Sequence, residues 1–316
     1  MYYRYSSPKI SNNTINDNWA SADRSGVGGG IACLYDSNPT ISGNTISGNF
    51  AHFNGGGIYC DTSDPLIIGN IISRNSAGWD GGGIYCEYYC DPLISNNTIS
   101  RNSALLYGGG VFCWRSSPTI TNTIVWGNSA PNSPQIYLEG HPVVTYCNIQ
   151  GGWPGEGNIN ADPIFVGAEK EDFHLRWHSP CIDAGDPNSD PDPDGTGSDI
   201  GAFYFHQGVD GVVELYPQKG PIVIPPEGGD IFYDGWVFNF CGQGCRADIW
   251  SYAFVPELRR FGPIDLYENV WIPKDSLGAN DITQHVSGSA PTGDYVFVAY
   301  VGEYPTSIID SSYFYF

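Results

Sequence analysis

A triple-glycine motif recurs four times along the first third of the chain at nearly constant spacing. The motif reads Gly-Gly-Gly-apolar-any-Cys, and its copies begin at Gly28, Gly55, Gly81 and Gly108. Successive copies are 27, 26 and 27 residues apart. A fixed period of this length is typical of proteins in which one structural unit stacks on the next.

Two further motifs keep step with the glycine motif over five cycles. One is a proline followed by an apolar string that contains asparagine, and the other is Asn-any-Ala. Each unit holds short clusters of β-type residues separated by Gly, Asn or Pro, with no helical periodicity. Because such a unit cannot bury its own apolar face, units must stack in register. The pattern predicts a parallel β-helix of about 6–7 coils.

In-register stacking predicts columns of like side chains. We expect an inward cysteine column, which packs in the core rather than forming a disulfide framework. We also expect a ladder of asparagine amides that bond to one another along the stack. The predicted members of the two sets are Cys33, Cys60, Cys86 and Cys113, and Asn13, Asn44, Asn70, Asn97 and Asn122.

The GGGIYC and Asn-Ser-Ala strings resemble repeats of right-handed parallel β-helix proteins, a superfamily of pectate-lyase-like and bacterial surface-adhesin proteins. The resemblance implies a β-helix over residues 1–207 with degenerate last coils. The segment 161–203 resembles the closing part of secreted bacterial β-helix proteins and implies a last coil and cap. Lyases, hydrolases, adhesins and inert stalks all use this fold, so the fold alone does not fix the function.

The pattern changes beyond residue 207. Seven or eight aromatic-rich strand segments separated by turn residues follow over 208–316, about the length of one β-sandwich. They predict an immunoglobulin-like or fibronectin-like sandwich and resemble the C-terminal sandwich modules of secreted bacterial proteins. The whole chain is therefore predicted to be all-β.

Charge narrows the range of partners. The formal net charge is −21, and residues 1–150 contribute only nine acidic and six basic side chains to it. A strongly acidic chain is repelled by phosphate backbones and by anionic membranes, so we expect no nucleic-acid partner. No apolar run approaches the roughly 20 residues of a transmembrane helix.

An aspartate-rich loop is the best candidate for a metal site. Asp190, Asp192 and Asp194 alternate ahead of a glycine, and alternating carboxylates suit Ca²⁺. An EF-hand would require an acid at position 201, which is Gly201, so Asp199 would have to supply that ligand. The alternative is a solvated acidic loop without a metal.

The second domain offers two further candidates. Cys241 and Cys245 flank a short glycine-containing turn and predict a disulfide in an oxidising compartment. Trp236 and Trp250 lie on alternating aromatic strands, where such residues form the core or, if exposed, contact a glycan.

Catalysis is not expected. The six basic side chains of residues 1–150 are scattered over different coils, and the paired-carboxylate strings of polygalacturonases are absent. We therefore predict a non-catalytic extracellular or cell-surface protein with a structural or adhesive role. It would self-associate, in one version end to end into a filament, or bind a surface polysaccharide. The alternatives are a carbohydrate-binding module and a polysaccharide lyase or hydrolase of the β-helix class.

Overall fold

The structure is a computed structural model that describes residues 1–21, 26–205, 212–217, 228–238, 245–255, 259–261, 264–272, 276–287, 295–303 and 307–315. It contains two compact units, Met1–Phe165 with Phe173–Phe205 and Val166–Asp172 with His206–Phe316. The predicted boundary between residues 207 and 208 lies outside the described residues. In these ranges no helix has the length and apolar character needed to cross a membrane.

Four parallel sheets form the first unit, and each takes one strand from successive coils. The strands of sheet A are β1 (Tyr2–Arg4), β5 (Ile31–Leu34), β9 (Ile58–Asp61), β13 (Ile84–Glu87), β17 (Val111–Trp114) and β20 (Ile136–Leu138). The strands of sheet B are β2 (Lys9–Ser11), β6 (Thr40–Ser42), β10 (Leu66–Ile68), β14 (Leu93–Ser95), β18 (Thr119–Thr121) and β21 (Val143–Thr145).

Sheet C adds a third strand to each of the six coils, and sheet D adds a fourth strand to four of them. The strands of sheet C are β3 (Thr14–Asn16), β7 (Thr45–Ser47), β11 (Ile71–Ser73), β15 (Thr98–Ser100), β19 (Ile124–Trp126) and β22 (Asn148–Ile149). The strands of sheet D are β4 (Trp19–Ala20), β8 (Phe50–Ala51), β12 (Ser76–Ala77) and β16 (Ser103–Ala104). The all-β prediction with stacked parallel coils is confirmed.

The core of this unit is a set of columns. Ile31 pairs with Ile58, Ile58 with Ile84 and Ile84 with Val111, and all four side chains are fully buried. In each strand of this set the cysteine two residues later points to the same face. The coils therefore share one continuous interior of isoleucine, valine and cysteine.

The middle glycine of the triplet lies where neighbouring coils approach each other closely. A Cβ atom on Gly56 would lie 2.5 Å from the Gly82 carbonyl oxygen and 2.6 Å from the Ser76 backbone nitrogen. Real Cβ atoms do not approach backbone so closely, so this position excludes every other residue. The repeat of the motif is thus a requirement of coil spacing.

The closing segment lies on the side of the stack as well as at its end. Ile159 extends the stack by pairing with Asn148. Further along the chain, β23 (Phe165–Gly167) and β24 (Asp172–Leu175) form a hairpin, and a 3₁₀ turn (Ala168–Lys170) connects its two strands. Leu175, Cys181 and Ile200 then pack against Ile124, whose side chain faces outward from sheet C. The segment predicted as a cap therefore also covers an outer sheet face.

Two antiparallel sheets form the second unit. One contains β25 (Val212–Pro217), β26 (Gly228–Phe238) and β30 (Ser276–Ser287). The other contains β27 (Cys245–Val255), β28 (Arg259–Phe261), β29 (Leu266–Ile272), β31 (Val296–Glu303) and β32 (Ser307–Tyr315). Both sheets contribute buried side chains to one core, among them Leu215 and Ile231 from the first and Phe297 and Val301 from the second. This arrangement is consistent with the predicted sandwich.

Candidate functional site

The outer face of sheet A carries the most chemically distinctive set of side chains in the β-helix. Because side chains alternate along a strand, Ile58 and Cys60 point inward while Tyr59 and Asp61 point outward. Tyr59 and Tyr85 lie in register and stack with ring centroids 5.4 Å apart. The stack continues through Phe112 at 4.9 Å and on to Tyr137. We call the outward set Tyr59, Asp61, Tyr85, Glu87 and Trp114 the Tyr–Glu face.

Glu87 is the hydrogen-bonding centre of the Tyr–Glu face. Its carboxylate accepts a hydrogen bond from the Tyr59 hydroxyl at 2.5 Å and from the Tyr85 hydroxyl at 3.1 Å. Partial burial raises the pKa of Glu87, while the two hydroxyl donors oppose that rise. Burial and the nearby Glu87 carboxylate raise the pKa of both tyrosines, so their hydroxyls keep their protons at neutral pH.

A second carboxylate and an aromatic side chain flank Glu87. Asp61 and Trp114 are its register partners on the two neighbouring strands, at the spacing of about 4.8 Å between β-strands. The Arg115 guanidinium lies 4.5 Å from the centroid of the Trp114 ring. Tyr59 and Tyr85 are buried and donate to Glu87, so the partly exposed groups of the face are the Asp61 and Glu87 carboxylates and the Trp114 ring. Acceptors beside an aromatic surface are groups that bind a polyhydroxylated ligand.

Sequence reasoning missed the Tyr–Glu face. The available signal was the residue between the apolar position and the cysteine in the triple-glycine motif, which is tyrosine or phenylalanine in three of the four copies. Since that position alternates with two core positions, it had to face outward.

The predicted asparagine ladder is present for four of its five members. The side-chain amide of Asn44 donates to Asn70 at 3.0 Å, and that of Asn70 donates to Asn97 at 3.0 Å, with Asn13 joining from the other side. Asn122 requires a correction. The Asn97 backbone N–H donates to the Thr123 hydroxyl at 3.4 Å, so Thr123 occupies the ladder position. The backbone of Asn122 is in the left-handed conformation, with φ 47°, and its side-chain amide donates to the hydroxyls of Ser189 and Ser198.

A second asparagine ladder was not predicted, although its motif was seen. The Asn-any-Ala asparagines bond from coil to coil at 2.8–3.0 Å, and Gln135 accepts from the last of them at 2.9 Å. Its members are Asn18, Asn49, Asn75, Asn102 and Asn128. The predicted cysteine column lies in register, and Cys33, Cys60, Cys86 and Cys113 are all fully buried free thiols.

The carboxylates of the aspartate-rich loop bind mainly their own backbone. Asp192 accepts from the Asp199 N–H at 2.9 Å, and Asp194 accepts from the Thr196 hydroxyl at 2.7 Å. Asp199 is 3% exposed and accepts two backbone N–H bonds, and burial raises its pKa to about 7. Across the described ranges, no three acids bring one oxygen each within 4.8 Å of one another. Asp190 is exposed, and calcium binding by Asp190, Asp192, Asp194 and Asp199 stays a prediction.

The two candidate glycan-contact tryptophans line a cavity of about 290 Å³ in the second unit. Trp250 is 3% exposed and stacks on Tyr300 with centroids 5.5 Å apart, so it does not present a surface to a polymer. Trp236 is partly exposed. The wall of the cavity is mostly apolar, with Ser251 and Asp265 as polar members. The predicted disulfide between Cys241 and Cys245 lies outside the described side chains.

Comparison with known proteins supports the repeat. Residues 1–125 match the family model described as the right-handed β-helix region. No curated protein sequence matches the chain.

Three solved structures share weak likeness with 34% of this chain. The first is the CARDB domain of a Pyrococcus furiosus protein, with 20% sequence identity, a TM-score of 0.25 and 91% of that chain covered. The second is a putative β-galactosidase from Bacteroides fragilis, with 10% identity, a TM-score of 0.26 and 17% of that chain covered. The third is a Bacteroides uniformis β-glucuronidase, with 13% identity, a TM-score of 0.25 and 13% of that chain covered. The matched part thus spans less than a fifth of each of the two enzymes. All TM-scores are below 0.5, so these likenesses carry no argument about function.

Proposed function

We propose that this chain is a non-catalytic extracellular or cell-surface protein whose β-helix acts as a rigid structural or adhesive element. The observation that carries the proposal is the pair of asparagine ladders. Each ladder joins successive coils through side-chain amides, which are buried from Asn44 and Asn49 onward, alongside the continuous aliphatic and cysteine columns.

These ladders support a rigid structural role rather than a catalytic one. The amides of Asn70 and Asn75 are fully buried and fully occupied within the stack, so they have no capacity left for a substrate. Within the described residues, every buried side-chain nitrogen and oxygen has a hydrogen-bond partner. A stack with its polar groups satisfied opens rarely, and proteases cleave mainly opened chain.

Electron microscopy combined with limited proteolysis tests the proposal. We expect a protease-resistant core that corresponds to the β-helix, and particles that are single rods or end-to-end fibres with a repeat of one subunit. Rapid cleavage between the strands of successive coils would contradict a rigid role. Fibres would support the filament version, and dispersed rods at every concentration would remove it.

Carbohydrate binding at the Tyr–Glu face is the second candidate. The specific observation is the combination of Glu87, its two tyrosine donors and the adjacent Asp61 on one outward face. Paired acids beside an aromatic side chain could hold sugar hydroxyls without cleaving the glycan.

Binding and product assays with a panel of polysaccharides distinguish the structural, carbohydrate-binding and catalytic functions. Binding that is lost in Glu87→Gln and kept in Glu139→Gln, an acid on the loop after β20, would support the carbohydrate-binding candidate. New reducing or unsaturated ends that appear with the wild type and disappear with Glu87→Gln would overturn the non-catalytic proposal. The absence of both binding and product would leave the structural role as the better account.

A further inference from the structure

Three buried cysteine sulfurs form a cluster in the middle of the β-helix. The Sγ atoms of Cys60, Cys86 and Cys90 all lie within 4.8 Å of one another, and all three residues are 0% exposed. Cys60 and Cys86 are register partners in the column of sheet A. Cys90 comes from the turn that follows β13 and is not a member of that column.

Cys90 occupies a position where the other coils carry serine. The backbone N–H of Ser37 donates to the Ser63 hydroxyl at 3.1 Å, and the backbone N–H of Cys90 donates to the Ser116 hydroxyl at 3.3 Å in the same way. Serine therefore satisfies the packing of this turn in the neighbouring coils. In one coil alone the serine oxygen is replaced by a sulfur.

The turn directs that sulfur toward the column. Tyr88 and Tyr89 both have left-handed backbones, with φ values of 55° and 61°, and Cys90, which follows them, is buried in the core cluster of the coils. The Cys90 thiol donates to the Ser63 carbonyl oxygen in the coil below. This contact places the sulfur beside Cys60 as well as Cys86.

We propose that Cys60, Cys86 and Cys90 form a buried three-thiolate site for a thiophilic divalent ion of the Zn²⁺ and Cd²⁺ class. Zinc–sulfur bonds of about 2.3 Å require sulfurs roughly 4 Å apart, which the cluster satisfies with little movement. A divalent ion leaves one net negative charge in this apolar core, whereas a monovalent ion leaves two, so the divalent ion is favoured.

Binding replaces three S–H bonds by three metal–sulfur bonds and releases three protons to solvent, with no change of oxidation state. Metal affinity must therefore increase as the pH rises. Because the cluster is fully buried, the ion has to enter while the chain folds or opens.

Refolding of the full-length chain with Cd²⁺ under reducing conditions tests the site. We expect the wild type to retain one more equivalent of cadmium after desalting than Cys90→Ser does, with a thiolate-to-cadmium absorption band in the ultraviolet. Cys90→Ser installs the residue of the neighbouring coils, so it should fold with the wild-type circular dichroism. Cys181→Ser removes another buried thiol outside the cluster and should keep the full cadmium content.

Three results would overturn the proposal. They are equal cadmium content in the wild type and Cys90→Ser, an equal loss in Cys181→Ser, or a disulfide within the cluster in the reduced, metal-refolded protein. A melting temperature that rises with cadmium in the wild type and not in Cys90→Ser would support it independently. The site is separate from the proposed function, so either can fail alone.

Discussion

Asn44 and Asn70 share one oxygen atom for two hydrogen bonds. The backbone N–H of Asn44 donates to Asn70 Oδ1 at 2.9 Å, and the side-chain amide of Asn44 donates to the same oxygen at 3.0 Å. The Asn70 amide also donates to the Ile41 carbonyl oxygen at 2.9 Å. One buried side chain therefore holds both the backbone and the side chain of the coil before it.

Replacing Asn70 by alanine should destabilise the β-helix strongly. The variant leaves the buried Asn44 backbone N–H without its acceptor and removes one donor each from the Ile41 carbonyl and from Asn97 Oδ1, which costs on the order of 2–4 kcal/mol. Asn13→Ala, at an exposed ladder position, should cost about 1 kcal/mol or less. Urea unfolding followed by circular dichroism measures both. Equal midpoints for the two variants would show that the ladder contributes little.

Gly56 and Gly69 should respond differently to substitution by alanine. At Gly56 a methyl group would collide with the Gly82 and Ser76 backbones, so Gly56→Ala should disrupt coil stacking. At Gly69 nothing lies within 4 Å, and the cost is that of the left-handed backbone at φ 64°, about 1–2 kcal/mol. Thermal unfolding distinguishes them. A Gly69→Ala variant less stable than Gly56→Ala would contradict the close approach between coils.

Asp199 should make the first unit more stable as the pH falls from about 7 toward about 4. Burial raises its pKa to about 7 in the folded chain from 3.8, so the folded state keeps a proton that the unfolded state has lost in this window. Its contribution is greatest below the unfolded pKa and is lost as the pH rises through 7. The pKa values of Asp192 and Glu87 are raised too and add to the wild-type slope.

Melting temperatures of the wild type and of Asp199→Asn between pH 5 and pH 7 measure how much of the pH dependence of stability comes from Asp199. The variant should show a shallower dependence on pH, because its amide does not titrate. An unchanged slope would mean that the folded pKa of Asp199 is close to its unfolded value.

Tyr59 should control the acidity of Glu87. Removal of the 2.5 Å hydroxyl donor in Tyr59→Phe should raise the pKa of Glu87 further, because the hydrogen bond favours the charged carboxylate. Tyr85→Phe removes a 3.1 Å bond and should raise it less. Carboxyl-selective NMR titration reports both values. A larger rise for Tyr85→Phe would reverse the assignment of the stronger donor.

Calcium should raise the melting temperature if the aspartate-rich loop binds it. Burial is the largest cause that raises the pKa of Asp192 and of Asp199, and the nearby Asp183 carboxylate raises both further through charge repulsion, which a cation would relieve. The rise should be absent in the Asp192→Ala, Asp194→Ala double variant and reversed by EGTA. A melting temperature that calcium and EGTA leave unchanged would identify the loop as metal-free.

The parts of the fold that repeat were predictable, because a column needs the same residue type in every coil. The Ile31-to-Val111 column followed from spacing alone. The prediction placed Asn122 in the ladder because it looked for an asparagine in every coil. In this coil the hydroxyl of the next residue, Thr123, occupies the ladder position instead. The cysteine cluster could not be read from spacing, since Cys90 reaches the column through a left-handed turn that only the backbone shows.

The coils differ in length, yet their strands do not shift. The residues joined by the ladder bonds are 31, 26 and 27 positions apart, and the strands of these coils nevertheless stay in register. Since the coils that carry Asn44, Asn70 and Asn97 present like amide groups to their neighbours, a whole coil can be inserted or deleted among them and still find matching neighbours. The length of this protein is therefore free to change over evolutionary time in steps of one coil, without any new interface having to arise.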